Sequence, residues 1–93
     1  MKQEVSERSL EATVVENIRF YLYLRHLNQT DLANALGLTR SGASQKMTGR
    51  ANWSISDIEK VATLLQVKPE ILLSDEVLEK MGLVSGRNPQ PTT

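Results

Sequence analysis

From Gln29 to Met47 the apolar positions fall into two short helical groups with a break between them. Leu32, Ala33 and Leu36 recur at the spacing that puts side chains on one side of a helix. Gly37 follows where a helix end calls for a residue that accepts positive φ. The first segment is therefore expected to stop at Leu36, with Leu38 plugging the turn. Thr39 is expected to cap a second segment, its hydroxyl accepting from an otherwise unpaired backbone N–H. At about 100° per residue, Ala43 and Met47 share one side of that segment, whereas Ser41, Ser44, Gln45 and Thr48 share the other, with Arg40 at the edge. The small side chains of Ala33 and Ala43 let the two helices cross closely.

The pattern extends in both directions. Ser9 is placed to cap a long helix running to about His26, with Ile18 and Tyr21 on its core face. Phe20, Leu22, Tyr23 and Leu24 lie on the same helix, giving it more apolar surface than one inward stripe uses. Ser54 precedes a helix containing Ile58, Val61, Ala62 and Leu65, and Pro69 stands at a helix start, with Ile71, Leu72 and Leu73 expected to close the core. Ser74 or Asp75 opens a last short helix through Val77, Leu78 and Met81, ended by Gly82. The expected architecture is all-α: a compact bundle of about five helices containing a helix-turn-helix, plus a short C-terminal helix and a loose tail. By residue, 1–8 are expected to be a flexible N-terminus and 9–74 the helix-turn-helix domain. Residues 75–84 are the short C-terminal helix, a candidate oligomerisation element, and 85–93 a disordered tail.

The outward side of the second short helix carries usable chemistry. Arginine pairs bidentately with guanine and glutamine with adenine in the major groove, while serine and threonine add hydrogen bonds or a methyl contact. A solvated helix face would have the same composition, so the flanking pattern decides between the two. Residues from about Val15 to Leu73, nearly two thirds of the chain, resemble the Cro/repressor type of helix-turn-helix domain, the XRE family of phage repressors and bacterial regulators. The resemblance rests on Asn17-Ile18-Arg19, Leu27-Asn28-Gln29, Leu32-Ala33, Leu36-Gly37-Leu38-Thr39, the run Ser44 to Arg50, and Ile58 to Ala62. It implies a lambda-repressor-like fold in which the helix from Arg40 to about Thr48 enters the major groove. Arg40, Ser41, Ser44 and Gln45 would then face bases. Gln29 would touch a phosphate and brace the recognition helix, with further backbone contacts expected at Asn28, Thr39, Thr48, Arg50 and Asn52. Lys46 departs from the family, standing where many relatives have Ile or Leu, and the apolar role passes to Met47.

The balance of 11 basic and 11 acidic residues is the main compositional argument against DNA binding, since nonspecific affinity comes largely from Lys and Arg. The distribution softens it. From Thr39 to Trp53 there are Arg40, Lys46 and Arg50 and no acid, whereas Ser54 to Gly82 holds six acids against three lysines. A local cationic patch of that size predicts modest nonspecific binding and a need to pair two subunits. With no cysteine, a single histidine, no phosphate-binding glycine loop and no metal-ligand spacing, the chain offers no catalytic site, metal site or cofactor. His26 is expected to interact with a helix dipole, and Trp53 to plug the core or a loop rather than stack on DNA.

No segment approaches the roughly 20 apolar residues of a membrane span, and no small-molecule ligand is evident. The expectation is a cytoplasmic, homodimeric, sequence-specific regulator that binds double-stranded DNA, similar to a small phage or prophage repressor or Cro protein. The alternative is an antitoxin or protein-interaction module that recruits a partner through Phe20 and Leu24.

Overall fold

The computed structural model describes residues 9–80 and Gly82. The expectations for 1–8, for Met81 and for 83–93 lie outside the described residues. Among these the chain forms six helices and no strand: α1 (Leu10–Leu24), α2 (Gln29–Leu36), α3 (Arg40–Met47), α4 (Ile55–Leu65), α5 (Pro69–Leu72) and α6 (Glu76–Lys80).

Each of the first four helices begins on a side chain that satisfies an orphan N–H. The acceptors are Ser9 for Ala12, Asn28 for Asp31, Thr39 for Gly42 and Ser54 for Asp57. Asp31 and Asp57 reciprocate by accepting from the backbone N–H of Asn28 and Ser54, so α2 and α4 start with closed capping boxes.

These four helices also end alike. A residue in the left-handed region turns the chain, and the N–H beyond it reaches back to a carbonyl of the last turn. The bonds are Leu27 to Leu22, Leu38 to Ala33, Arg50 to Gln45 and Val67 to Ala62, at 2.8–3.0 Å. Gly37 (φ 72°) and Gly49 (φ 84°) take the turn without steric cost, whereas His26 (φ 60°) and Gln66 (φ 62°) adopt it with a Cβ present, at about 1 kcal/mol or more each. His26 thus ends α1 through its backbone, with its ring exposed.

The core joins Val14, Ile18, Tyr21 and Leu22 of α1 to Leu32, Ala33 and Leu36 of α2, Ala43 and Met47 of α3, Val61, Ala62 and Leu65 of α4, and Leu72. α2 lies against α3 and α4, while α1 lies against α4 and α5. Three expectations need correction. Leu22 is core rather than surplus, because α1 is flanked on two sides and buries a wider stripe than Ile18 and Tyr21 alone define. Leu38 is 37% exposed and so is not a plug; it follows the left-handed Gly37, which turns the chain toward solvent. Leu73 is exposed, since α5 is one turn long and aims only Leu72 fully inward.

Two polar side chains brace the bundle over long sequence distances. Asn17, wholly buried on α1, donates through Nδ2 to the carbonyls of Leu72 (2.8 Å) and Ser74 (2.7 Å), tying the α5–α6 connection to α1. Arg25 donates through Nε to Leu65 O (2.9 Å) at the end of α4, while its guanidinium lies 5.9 Å from the centre of the Tyr21 ring. A cation there also complements the negative end of the α4 dipole.

Candidate nucleic-acid interface

α3 is short and amphipathic in an unusual sense, because its outer side is polar without being acidic. Ala43 and Met47 are buried against α2 and the core, while Arg40, Ser41, Ser44 and Gln45 are all exposed. The close packing of α2 and α3 follows from Ala33 and Ala43, both 2% exposed or less. The fold therefore brings the four expected base-facing residues together on one open surface.

The expected backbone-contacting residues divide into two kinds. Gln29 is half-buried at the first position of α2, and Arg50 and Asn52 are exposed in the segment that follows α3. Asn28, Thr39 and Thr48 already have structural work. The oxygens of Asn28 and Thr39 accept helix-capping bonds, which leaves the amide hydrogens of Asn28 and the hydroxyl proton of Thr39 available to an anion. The Thr48 hydroxyl donates back to Ser44 O (3.0 Å) and Gln45 O (3.3 Å), so its proton is engaged within α3.

Lys46 has a defined setting. Its Nζ lies 2.8 Å from Asp57 Oδ2, donates to Asn52 O at 2.6 Å, and sits 5.7 Å from the centre of the Trp53 ring. Trp53 returns a bond from Nε1 to Lys46 O (3.1 Å). It packs half-buried against the core, in the plug role expected of it. Only 14% of the Lys46 and Asp57 side chains is exposed. The cationic run from Thr39 to Trp53 therefore presents two open charges, Arg40 and Arg50, rather than three. No sequence signal marks this cluster, since Lys46 and Asp57 belong to different helices, although Ser54 and Asp57 show capping-box spacing.

Burial tends to raise the Asp57 carboxyl, but the bonds from Lys46 and from the backbone and hydroxyl of Ser54, with the nearby ammonium, outweigh it and hold the group below its ordinary 3.8. A carboxyl that titrates lower when folded contributes stability in full above its unfolded value, and that contribution is lost as the pH falls through the folded value. Acid unfolding of Asp57→Asn, followed by circular dichroism, should accordingly show a smaller loss of stability below pH about 4 than the wild type. An identical acid limb in both proteins would show that the pair is not coupled to folding.

Among the described residues there is no cluster of metal-ligating side chains and no helix long and apolar enough to cross a membrane.

The model of the BetR domain matches residues 12–89. The fold is similar to the crystal structure of a hypothetical transcription factor, NHTF, from Neisseria, with a TM-score of 0.69 and 30% identity over 88% of this chain and 94% of that one. It is also similar to the restriction-modification controller protein C.AhdI from Aeromonas hydrophila (TM-score 0.59, 31% identity, 67% of this chain and 94% of that one). A second controller protein, C.Esp1396I, aligns with a TM-score of 0.65 and 25% identity over 86% of this chain and all of that one. No curated protein matches the chain.

Proposed function

We propose, from the premise that the chain belongs to the BetR domain family of helix-turn-helix proteins, that it is a homodimeric, sequence-specific transcriptional regulator acting on a near-palindromic operator. The fold is that of DNA-binding transcription regulators of the Cro/repressor type, which are not enzymes. The observation that carries the proposal is α3: its inner side is buried, and its outer side exposes Arg40, Ser41, Ser44 and Gln45 with no acid among them. Such a helix fits the major groove, where those side chains meet base edges. Gln29, at the N-terminal end of α2, and Arg50 then grip phosphates on either side. Asn28 adjoins Gln29, Asn52 lies two residues beyond Arg50 and Thr39 caps α3, so these three add contacts, and Thr48 adds one by giving up its bonds to Ser44 and Gln45.

Two open cations between Thr39 and Trp53 are few for tight nonspecific binding, and this supports a dimer that places two copies of α3 in successive major grooves about 34 Å apart. Tyr23, 82% exposed, and Leu24, 47% exposed, are adjacent apolar residues at the C-terminal end of α1 open for assembly, with Leu10, 59% exposed, at its other end. Repression follows from covering a promoter, as a small phage repressor or Cro protein does. The antitoxin or protein-interaction alternative draws on Phe20 and Leu24, of which Leu24 is exposed and Phe20 is partly buried against the core.

Selection of bound duplexes from a random pool tests the proposal, with light scattering of the free protein and of its complex. A two-fold symmetric consensus and a two-chain complex are expected. No enrichment overturns sequence-specific binding, and a single chain on the enriched duplex overturns the dimer. In Tyr23→Ser with Leu24→Ser, loss of the dimer together with weaker operator binding is expected; an unchanged oligomer moves the interface elsewhere.

Arg50→Ala should weaken all duplexes nearly equally. It should also flatten the salt dependence by about one unit of log K per log salt for each phosphate no longer neutralised. A loss confined to one sequence would mean that Arg50 reads a base.

A further inference from the structure

The geometry points to Lys46 as a positioning residue: through Asp57 and Trp53 it sets the angle of the C-terminal end of α3, and so determines how well Gln45 is aimed, rather than touching DNA itself. This rests on α3 being the recognition helix proposed above.

α3 packs chiefly on α2, by way of its buried Ala43. Its far end faces an open cleft against α1, lined by Val15, Arg19, Met47, Thr48, Gly49 and Trp53. Met47 anchors that end in the core, while its polar flank is left to other ties. What reaches across to α4 is the Lys46 ammonium, bound at once to Asp57 Oδ2 (2.8 Å) and to Asn52 O (2.6 Å). The Trp53 indole N–H holds the Lys46 carbonyl from the other side. Asp57 is itself fixed by the capping box at the start of α4.

An eight-residue helix is about 12 Å long, so a 10° rock about its N-terminal end displaces the far end by about 2 Å. Base readout tolerates about 0.5 Å. Gln45 directly precedes Lys46 and moves with it. A lysine occupied in this way is a poor phosphate contact: its charge is paired with Asp57, two of its three protons are engaged, and only 14% of its side chain is exposed.

Charge and position make opposite demands on a pair of variants, and this separates the alternatives. Lys46→Met removes a positive charge and Asp57→Asn removes a negative one, so a purely electrostatic role would weaken DNA binding in the first and strengthen it in the second. The amide oxygen introduced by Asp57→Asn can still accept from the Ser54 N–H, which keeps the α4 cap, and its hold on the Lys46 ammonium, made by that same oxygen, is weakened by loss of the charge. If Lys46 positions α3, both variants lose discrimination between the selected operator and a duplex altered at the Gln45 step. The expected loss is about tenfold in the affinity ratio, no greater in the double variant than in either single one, with the salt slope unchanged. Lys46→Arg should retain most of the discrimination.

The free proteins supply a readout that does not depend on DNA. Backbone amides from Ser44 to Thr48 should exchange with deuterium faster in both variants than in the wild type, while those of α2 exchange as before. Circular dichroism at the assay temperature, together with that α2 protection, identifies any variant that is unfolded, and the inference is then judged on the other variant.

Unchanged discrimination with unchanged exchange overturns the inference. So does a uniform loss for every duplex in Lys46→Met with a slope lower by about one, which would make Lys46 a phosphate contact. If the wild type selects no duplex, the DNA-reading function fails, and the exchange measurement alone decides whether Lys46 pins α3.

Discussion

Asn17→Asp should be strongly destabilising, costing about 3–5 kcal/mol at neutral pH. Asn17 is wholly buried, and its Nδ2 donates to two carbonyls, those of Leu72 and Ser74. A carboxylate there replaces the donor with a charge facing two acceptor oxygens, without solvent to relieve it. Burial and those oxygens both favour the protonated acid, so the new carboxyl titrates high. A folded value above the unfolded one means that the penalty is full at neutral pH and shrinks as the pH falls, giving a variant that gains stability toward mild acid.

Asn17→Ala isolates the two hydrogen bonds. At about 1 kcal/mol each, offset by about 0.6 kcal/mol of helix propensity and by removal of Oδ1, which lacks a partner among the described residues, they give a cost of about 1–2 kcal/mol. Urea unfolding at two pH values measures all of this. An Asp variant as stable as the Ala variant at pH 7 would show that the α5–α6 connection lets water reach the site.

The second large effect is expected on DNA. Arg40→Ala and Gln45→Ala should each cost about 1–3 kcal/mol at the selected operator and relax preference at one base step per half-site. Both side chains are exposed and neither supports the core, so unfolding midpoints should stay within about 0.5 kcal/mol of the wild type. Gel shifts on the operator and on singly altered duplexes give the result. Unchanged specificity in both variants would remove α3 as the base-reading element.

Much of the bundle is legible in the chain because its signals are local. Ser9, Asn28, Thr39 and Ser54 cap helices by hydrogen bonds three residues long, and Leu32, Ala33 and Leu36 mark a face by spacing alone. Gly37 announces a helix end because only glycine takes φ 72° without strain. The ends at His26 and Gln66 use the same backbone conformation without that signal, which is why the pattern predicts α1 to reach about His26 instead of stopping at Leu24. The polar side of α3 is equally visible, since Ala43 and Met47 leave it only one way to face.

Tertiary structure decided the features that depend on residues far apart in the chain. Asn17 reads as one polar residue on an apolar helix until Leu72 and Ser74 are brought to it, more than 50 positions away. Lys46 reads as a third cation for DNA until α4 delivers Asp57 beside it. Leu22 reads as surplus and Leu38 as a plug until the surrounding helices determine which of them is covered. The sequence by itself determined where helices start, where glycine stops them, and which side of each is apolar, because capping and periodicity act within a turn or two. Which polar groups are spoken for inside the fold, and hence which charges remain to meet DNA, was decided only by packing, because a hydrogen bond between distant residues leaves no periodic trace in the chain.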